Sequence, residues 1–531
     1  MTSVEASSAS RDVFSFFTRL EVWLAKFSRP VATIGVVGML VIAGLTVVDV
    51  VMRWVLHQGI NSLNELTSMA FAVAIAACLP AGLASGINLK IDIFARWIPG
   101  RMAAWLDVFG ALALLFLFVL LAQQVGVYTT SLWRQGRTTT VLAIPVAPFL
   151  FSAVALIGFG CLIQAVIAIN TIRRAWAYDK VDTESYGIVT VIAVVLGAFV
   201  VVIAAYAIYD FSGMSRWARS NPGGAVSIGF ALMWIFMFGL MPLAALTGVV
   251  GVFGTSLLIG WSPAMNAFAT EATGLFTNSQ IATLPLFLMM GSFAAVSGMA
   301  DDLYRLAHIV FSRYRGGLAY ATIGSCAGFG ALTGSSLATA ATIGRVAIPE
   351  MRQRGYSPAL ATGVCAAGGT LGPLVPPGSG PIIVFALLTE ASIGKLFIAS
   401  VGPAILAVLL YFFTIWLYVR VAPKAAPKKS GTVEVGELRA ALVACIPVAI
   451  LVFGVMGGLY FGFFTDTESA AVGAIGAFLY AVGRGKLNRG SFFEVMGETT
   501  STTAMIYGLI IGAQIFSFFI AASALTESIG A

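Results

Sequence analysis

The sequence predicts an all-α polytopic membrane protein, and three observations carry that prediction. Of 531 residues, 59% are hydrophobic and 10% charged, whereas soluble domains carry about 25% charge. Apolar residues gather in runs of roughly 20, the length that spans a bilayer as a helix. Basic residues collect between those runs on alternate sides of one consistent topology. The net charge of +7 is spread too thinly to mark a nucleic-acid binder, and that topology accounts for it. Cys78, Cys161, Cys326, Cys365 and Cys445 sit singly in apolar runs without CxxC spacing, so they read as packing residues rather than disulfides or metal ligands.

Residues 1–30 read as a cytoplasmic N-terminal segment holding Arg11, Arg19, Lys26 and Arg29. The apolar run Val31–Met52 exceeds a secretory h-region of about 7–15 residues, so it reads as an uncleaved first spanning helix. Runs over 67–86, 103–127 and 141–169 complete a four-helix unit spanning 31–170. With the N-terminus inside, the inner loops add Lys90, Arg96, Arg101, Arg173, Arg174 and Lys180 to the first four basic residues. The outer loops hold Arg53, Arg134, Arg137, Arg216 and Arg219. The excess of basic residues inside supports that orientation.

Residues 171–222 form a polar linker (TIRRAWAYDKVDTESYG) followed by a joining helix over 188–209. Four crossings return the chain to the cytoplasm, so one further helix is needed to start the next unit on the opposite side. From 223 to 531 Gly and small residues become dense. A pair of runs flanks Pro242 and another covers Leu284–Ser297. Charged breaks follow at PEMRQRGYSP and at Arg420–Arg439. The helix after Ala440 leads outward to Thr465 and Asp466, and the next returns to Arg484, Lys486 and Arg489.

Two stretches are not ordinary spanning helices. In Gly324–Gly344 (GSCAGFGALTGSSLATAATIG), Gly330, Thr333, Gly334, Ser335, Ser336, Thr339 and Thr342 interrupt an apolar run. In Ala366–Pro381 (AAGGTLGPLVPPGSGP), glycines and prolines crowd what should be mid-membrane depth, and no continuous helix survives them. Unwound backbone in a bilayer persists only where it lines a cavity or coordinates something. Freed carbonyls and hydroxyls suit an alkali cation, and half-helix N-termini suit an anion. A Ser-rich hairpin tip facing a broken helix is the build of a secondary-transporter site. The plainer reading, that Gly324/Gly328 and Gly330/Gly334 only let helices pack closely, accounts for the first stretch as well as a site does but not for the second.

Ionisable residues within the apolar runs are few. Asp49, Arg53 and Glu65 read as structural charges that pair with one another or with a neighbouring subunit. His57 and His308 stand apart from any carboxylate cluster, metal spacing or nucleophile elbow, so the chain does not read as an enzyme.

GSSLATAATIG at Gly334–Gly344, AAGGTLGPLVPP at Ala366–Pro377 and FTDTESAAV at Phe464–Val472 resemble the large membrane subunit of tripartite ATP-independent periplasmic (TRAP) transporters. RWVLHQGINSLNE at Arg53–Glu65, INLKIDIF at Ile87–Phe94 and TVLAIPVAP at Thr140–Pro148 resemble the small membrane subunit more loosely. The resemblance implies a fused permease of the bacterial inner membrane, in which a four-helix small-subunit unit and a joining helix precede an inverted-repeat, elevator-type transport domain. It further implies sodium-driven symport of organic acids, such as C4-dicarboxylates or acidic sugars, delivered by a periplasmic substrate-binding protein. The only cofactor-like species would be Na⁺ as coupling ion. Carried over by residue, the hairpin tip would be Gly334, Ser335 and Ser336 with Thr339, and the broken helix Gly368, Gly369, Thr370, Gly372, Pro376 and Pro377. Both would hold sodium mainly through backbone oxygens.

The chain departs from the family pattern at Gly378–Pro381 (GSGP), where the family usually continues with Ser and a Pro two residues on. It also departs in length. Gly223–Ala300 resembles the start of one repeat and Ala440–Ala531 the start of the second, so the second repeat is expected to be incomplete and the chain unable to transport alone. The alternatives are a channel or passive pore, or a non-transporting membrane scaffold.

Overall fold

The computed structural model describes residues 3–60, 62–86, 89–91, 98, 100–177, 209–427 and 435–523. The expected joining helix over 188–209, apart from its last residue, lies outside the described residues. So do most of the Ile87–Phe94 motif, Arg96, Lys180 and the polar linker beyond residue 177. Among the described residues there are eighteen α-helices and no strand beyond one isolated bridge. Eight are long and apolar enough to cross a membrane, or nine if one bent pair is a single span.

By contacts the chain forms two compact units, and neither follows the linear division at residues 171–222. One is built from described residues between Met1 and Val36, Ser68 and Asn278, and Thr500 and Ala531. The other takes Val37–Thr67 and Ser279–Thr499.

α1 (Ser3–Val55), which belongs to the first unit up to Val36 and to the second beyond it, begins well before the expected Val31 and continues through Pro30. It is followed by α2 (Leu63–Ser85), α3 (Gly100–Arg134) and α4 (Ala147–Trp176). The run expected from 141 starts its helix only at Ala147, because Pro145 and Pro148 flank the entry. Ahead of it Thr138 bridges Pro145, and the Thr139 hydroxyl accepts from the Ile144 N–H at 3.1 Å. α3 and α4 are joined by a buried bond from Gln164 to the Ala111 carbonyl (2.9 Å), which satisfies an amide that lipid could not.

Asp210 caps α5 (Phe211–Ser220), and the Gly213 N–H it accepts holds its carboxyl below the usual range. α5 meets α6 (Pro222–Phe238) at a 113° bend, because Pro222 begins a helix it could not have continued. Its polar side is tied down: Ser215 and Arg219 donate to the Leu257 and Leu258 carbonyls of α7 (Leu243–Ile259). After α8 (Trp261–Thr277) the unit is completed by the later part of α18 (Arg489–Ala522). There α7 and α18 meet backbone to backbone, and a Cβ on Gly251 would lie 2.7 Å from the Phe516 nitrogen.

The second unit contains α9 (Thr283–Ser297), α10 (Met299–Phe311), α11 (Gly317–Thr333), α12 (Ser336–Gln353), α13 (Pro358–Gly369), α14 (Gly380–Thr389), α15 (Ile393–Val421), α16 (Val435–Tyr460) and α17 (Asp466–Gly483). α9 is buried nearly all round and packs on α17, with Phe293 and Phe478 edge to face at 5.2 Å. Residues of α10 to α13 and the end of α15 enclose an apolar core that includes Tyr304, Phe329, Met351 and Ile415. That core anchors the two interrupted segments.

Candidate functional site

Both interrupted segments are built as short helices with a sharp break. α11 ends at Gly334, whose φ of 60° is the left-handed conformation that glycine adopts without a Cβ penalty, and its N–H closes on the Gly330 carbonyl at 2.8 Å. Ser335 then starts α12, its hydroxyl accepting from the Ala338 N–H at 3.2 Å. Across this hairpin the hydroxyls of Thr333 and Thr339 are bonded at 2.8 Å, and both residues are buried. α13 ends at Gly369 in a tightened turn, in which Thr370, Leu371 and Gly372 donate to the carbonyls three residues back. The chain stays non-helical through Pro376 and Pro377 until α14 starts at Gly380.

The hairpin tip and the break touch through backbone. The Gly378 N–H donates to the Ala331 carbonyl at 2.7 Å, near the end of α11. A Cβ on Gly372 would lie 2.8 Å from the Ser335 carbonyl oxygen and 3.0 Å from the Thr339 hydroxyl. One on Gly330 would lie 2.8 Å from the Gly372 Cα, one on Gly369 2.9 Å from the Ser336 oxygen, and one on Gly378 2.5 Å from the Leu332 oxygen. A Cβ on Gly334 would overlap the Gly378 carbonyl. Every one of these positions is glycine because no side chain fits between the two segments.

The expected site residues therefore divide. Gly334, Ser335, Ser336 and Thr339 are brought together with Gly369 and Gly372. Gly368 lies instead against Cys326, where its missing side chain seats α13 on α11. Thr370 turns away, its hydroxyl between the Ala367 carbonyl (2.6 Å) and the Tyr411 hydroxyl (2.7 Å). Pro376 and Pro377 are buried. In the GSGP segment, Gly378 is tied to α11 and Ser379 donates to the Pro373 carbonyl, so its first two residues are held.

Sequence reasoning missed Gly291 of α9. A Cβ there would lie 3.0 Å from the Leu332 and Thr333 oxygens, so α9 forms a third wall. The only signal was a lone glycine in LPLFLMMGSFAAVS.

The chemistry on offer is polar but uncharged. Residues 324–344 and 366–381 contain no Asp, Glu, Lys, Arg or His. α11 and α13 direct their C-terminal, partially negative ends at the junction, and α12 and α14 direct their partially positive N-termini. Such an arrangement suits a small cation on carbonyl and hydroxyl oxygens and an anionic group beside it. Among the described residues no cluster of His, Cys, Asp or Glu fits a metal ion.

A second, charged feature lies in the same unit. Arg53, at the end of α1, is 3.0 Å from Asp49 and also donates to Glu468, the third helical residue of α17. Glu468 simultaneously accepts from the Thr465 N–H at 3.0 Å, closing a capping box. Trp54 stacks edge to face on Phe463 at 4.8 Å beside this cluster. Glu65 stands in the first turn of α2 and is not an ion-pair partner of Arg53.

A family model described as the tripartite ATP-independent periplasmic transporter, DctM component, matches residues 224–531. One described as the DctQ component matches residues 42–178. The C4-dicarboxylate TRAP transporter large permease protein DctM of Pseudomonas aeruginosa is 35% identical over 285 residues, covering 53% of this chain and 65% of that protein. The isethionate TRAP transporter permease protein DctMQ of Oleidesulfovibrio alaskensis is 35% identical over 246 residues, covering 44% of this chain and 37% of that protein. The sialic acid TRAP transporter permease protein SiaT of Haemophilus influenzae is 23% identical over 522 residues, covering 95% of this chain and 78% of that protein. The chain thus spans 65% and 37% of the lengths of the first two relatives.

Proposed function

The chain belongs to the tripartite ATP-independent periplasmic transporter family, and on that premise we propose that it is the membrane permease of a sodium-driven importer of organic acids. The observation that carries the proposal is the junction of hairpin tip and broken helix, where glycine α-carbons press on the Ser335, Ser336 and Leu332 carbonyls. Terminal carbonyls of short helices, which lack intrahelical partners, gather there, and each unpaired group costs several kcal/mol in lipid unless a ligand or cavity meets it.

In this reading the helix C-terminal oxygens at Leu332 and Thr333, with Ser335 and Thr339, receive Na⁺, and the N-termini of α12 and α14 face the carboxylate. The relatives' names include C4-dicarboxylate, isethionate and sialic acid, all of them anions. A small organic anion delivered by a periplasmic binding protein fits the same cradle. Each net positive charge carried inward gains about 2.3 kcal/mol per 100 mV of membrane potential, so sodium in excess of substrate charge drives accumulation. Alternating access follows as an elevator movement of the segment pair, with the N-terminus in the cytoplasm of the bacterial inner membrane.

The test is reconstitution of the full-length permease in liposomes with its binding protein. Uptake of an organic anion should require both an inward Na⁺ gradient and the binding protein. Uptake that persists without the gradient, or without the binding protein, would point to a pore and overturn the proposal.

A further inference from the structure

α15 carries a pattern that the transport reading leaves unused. Of the eight candidate spans it is the least buried within the protein. Ala404, Val408, Phe412, Trp416 and Arg420 recur every fourth residue, with Ile405, Leu409 and Phe413 in the adjacent row, so they form a stripe that winds around the helix by about 40° per step. Along that stripe lie two cavities. One, of about 530 Å³, is lined by Phe311, Tyr314, Tyr320, Phe412, Phe413 and Trp416. The other, of about 470 Å³, has Ala404, Val408, Leu409, Ala331 and Pro376 in its lining.

The end of this stripe is basic. Arg420 lies over the Trp416 ring at 4.9 Å. Arg315 donates to the Pro423 carbonyl just beyond the end of α15. The turn that carries Arg313 and Arg315 is seated on α15 by Gly316, whose Cβ would lie 3.1 Å from Val419. Arg313, Arg315, Arg420 and Lys424 are all exposed. Among the described residues, no carboxylate lies in ion-pair range of any of the four.

We propose that this stripe is a site for one anionic phospholipid, its phosphate on Arg315 and Arg420 and one acyl chain laid over the aromatic floor toward Pro376. Charge decides the headgroup, since unpaired guanidinium groups favour a phosphate diester over a zwitterion. Length decides the tail. From Arg420 to Leu409 is 11 residues, or roughly 16 Å of helix at about 1.5 Å each, close to half of a hydrocarbon core of about 30 Å. A chain anchored at the membrane surface therefore ends beside Ala331 and Pro376. Ala331 is the residue whose carbonyl ties the hairpin to the break, so the lipid would brace that junction from outside. The inference rests on the membrane placement of α15 and not on transport.

The test is native mass spectrometry of the full chain in detergent, offered phosphatidylglycerol, phosphatidylcholine or inorganic phosphate. One phosphatidylglycerol should be retained under conditions that strip phosphatidylcholine, and millimolar inorganic phosphate should not displace it. With about fivefold loss per basic contact, Arg420→Gln should weaken retention about fivefold and Arg315→Gln with Arg420→Gln about 25-fold. Arg345→Gln, on α12, should leave it unchanged. Because Arg315 also holds the turn, Arg420→Gln alone is decisive. Equal retention by that variant and the parent, or equal retention of the two lipids, would overturn the proposal. Displacement by inorganic phosphate would overturn it in favour of a free-anion site.

Discussion

Gly372→Ala probes the junction at one of its close backbone contacts. The added Cβ would start 2.8 Å from the Ser335 carbonyl oxygen, and reaching ordinary contact at 3.4 Å requires the two segments to part by about 0.6 Å. Neither neighbour is the free end of a flexible side chain. The oxygen is backbone, and the Thr339 hydroxyl at 3.0 Å is held by Thr333. Overpacking of this kind costs about 1–3 kcal/mol. If the parting falls on the oxygens that receive the cation, Na⁺ affinity drops roughly 5- to 150-fold. The assay is a sodium titration of thermal stability in detergent, where a ligand that binds only the folded state raises the melting temperature with concentration. Gly380→Ala is the control, because a Cβ there meets nothing within 4 Å. The expected result is a sodium midpoint shifted upward for Gly372→Ala and unchanged for Gly380→Ala. An unshifted midpoint for Gly372→Ala in a folded protein would refute the assignment of sodium to this junction.

Other consequences are open to direct measurement. Arg53→Gln leaves Asp49 and Glu468, whose side chains are each 10% exposed, as like charges without their cation. Because Arg53 itself is 43% exposed, the loss should fall below the 3–5 kcal/mol of a fully buried pair, at about 1–3 kcal/mol. Differential scanning fluorimetry should show the drop, and adding Glu468→Gln should recover part of it. Thr339→Val keeps shape but removes the hydroxyl bonded to Thr333, which retains its bond to the Phe329 carbonyl. A loss of about 0.5–1.5 kcal/mol is expected, together with weaker sodium stabilisation in the same titration. Gly251→Val forces a side chain into the Ile515–Phe516 backbone, so thermal stability should fall while any sodium dependence persists, since the contact lies in the other unit.

Much of this arrangement was legible in residues whose backbone preferences are extreme. Gly334 before two serines marks the hairpin turn, and Pro376–Pro377 among glycines marks the break, because neither sequence sustains a helix. The Pro242 boundary between α6 and α7 was legible for the same reason. What was not legible depends on distance along the chain. Arg53 pairs with Glu468 across 415 positions, and nothing in the local pattern ranks Glu468 above Glu65 as a partner. Gly291 likewise gains meaning only when α9 is placed against Thr333. Amphipathic α5 was read as an outer loop with Arg216 and Arg219, because its 10 residues are too few to register as a span. The contact-defined units escaped entirely, since they draw on residues far apart in the linear order.

The absence of Asp, Glu, Lys, Arg and His from residues 324–344 and 366–381 has one more consequence. Two half-helices offer their electron-rich ends at the junction and two offer their electron-poor ends, so the cradle starts out electroneutral. A lone ion entering it would go uncompensated in a medium of low dielectric, whereas a sodium and a carboxylate arriving together cancel each other's field. Under the proposed function each ligand would then raise the affinity for its companion, and slippage of either one unaccompanied would be discouraged by electrostatics alone. With no titrating side chain in the cradle, that mutual dependence should hold at the same strength in acidic and alkaline surroundings.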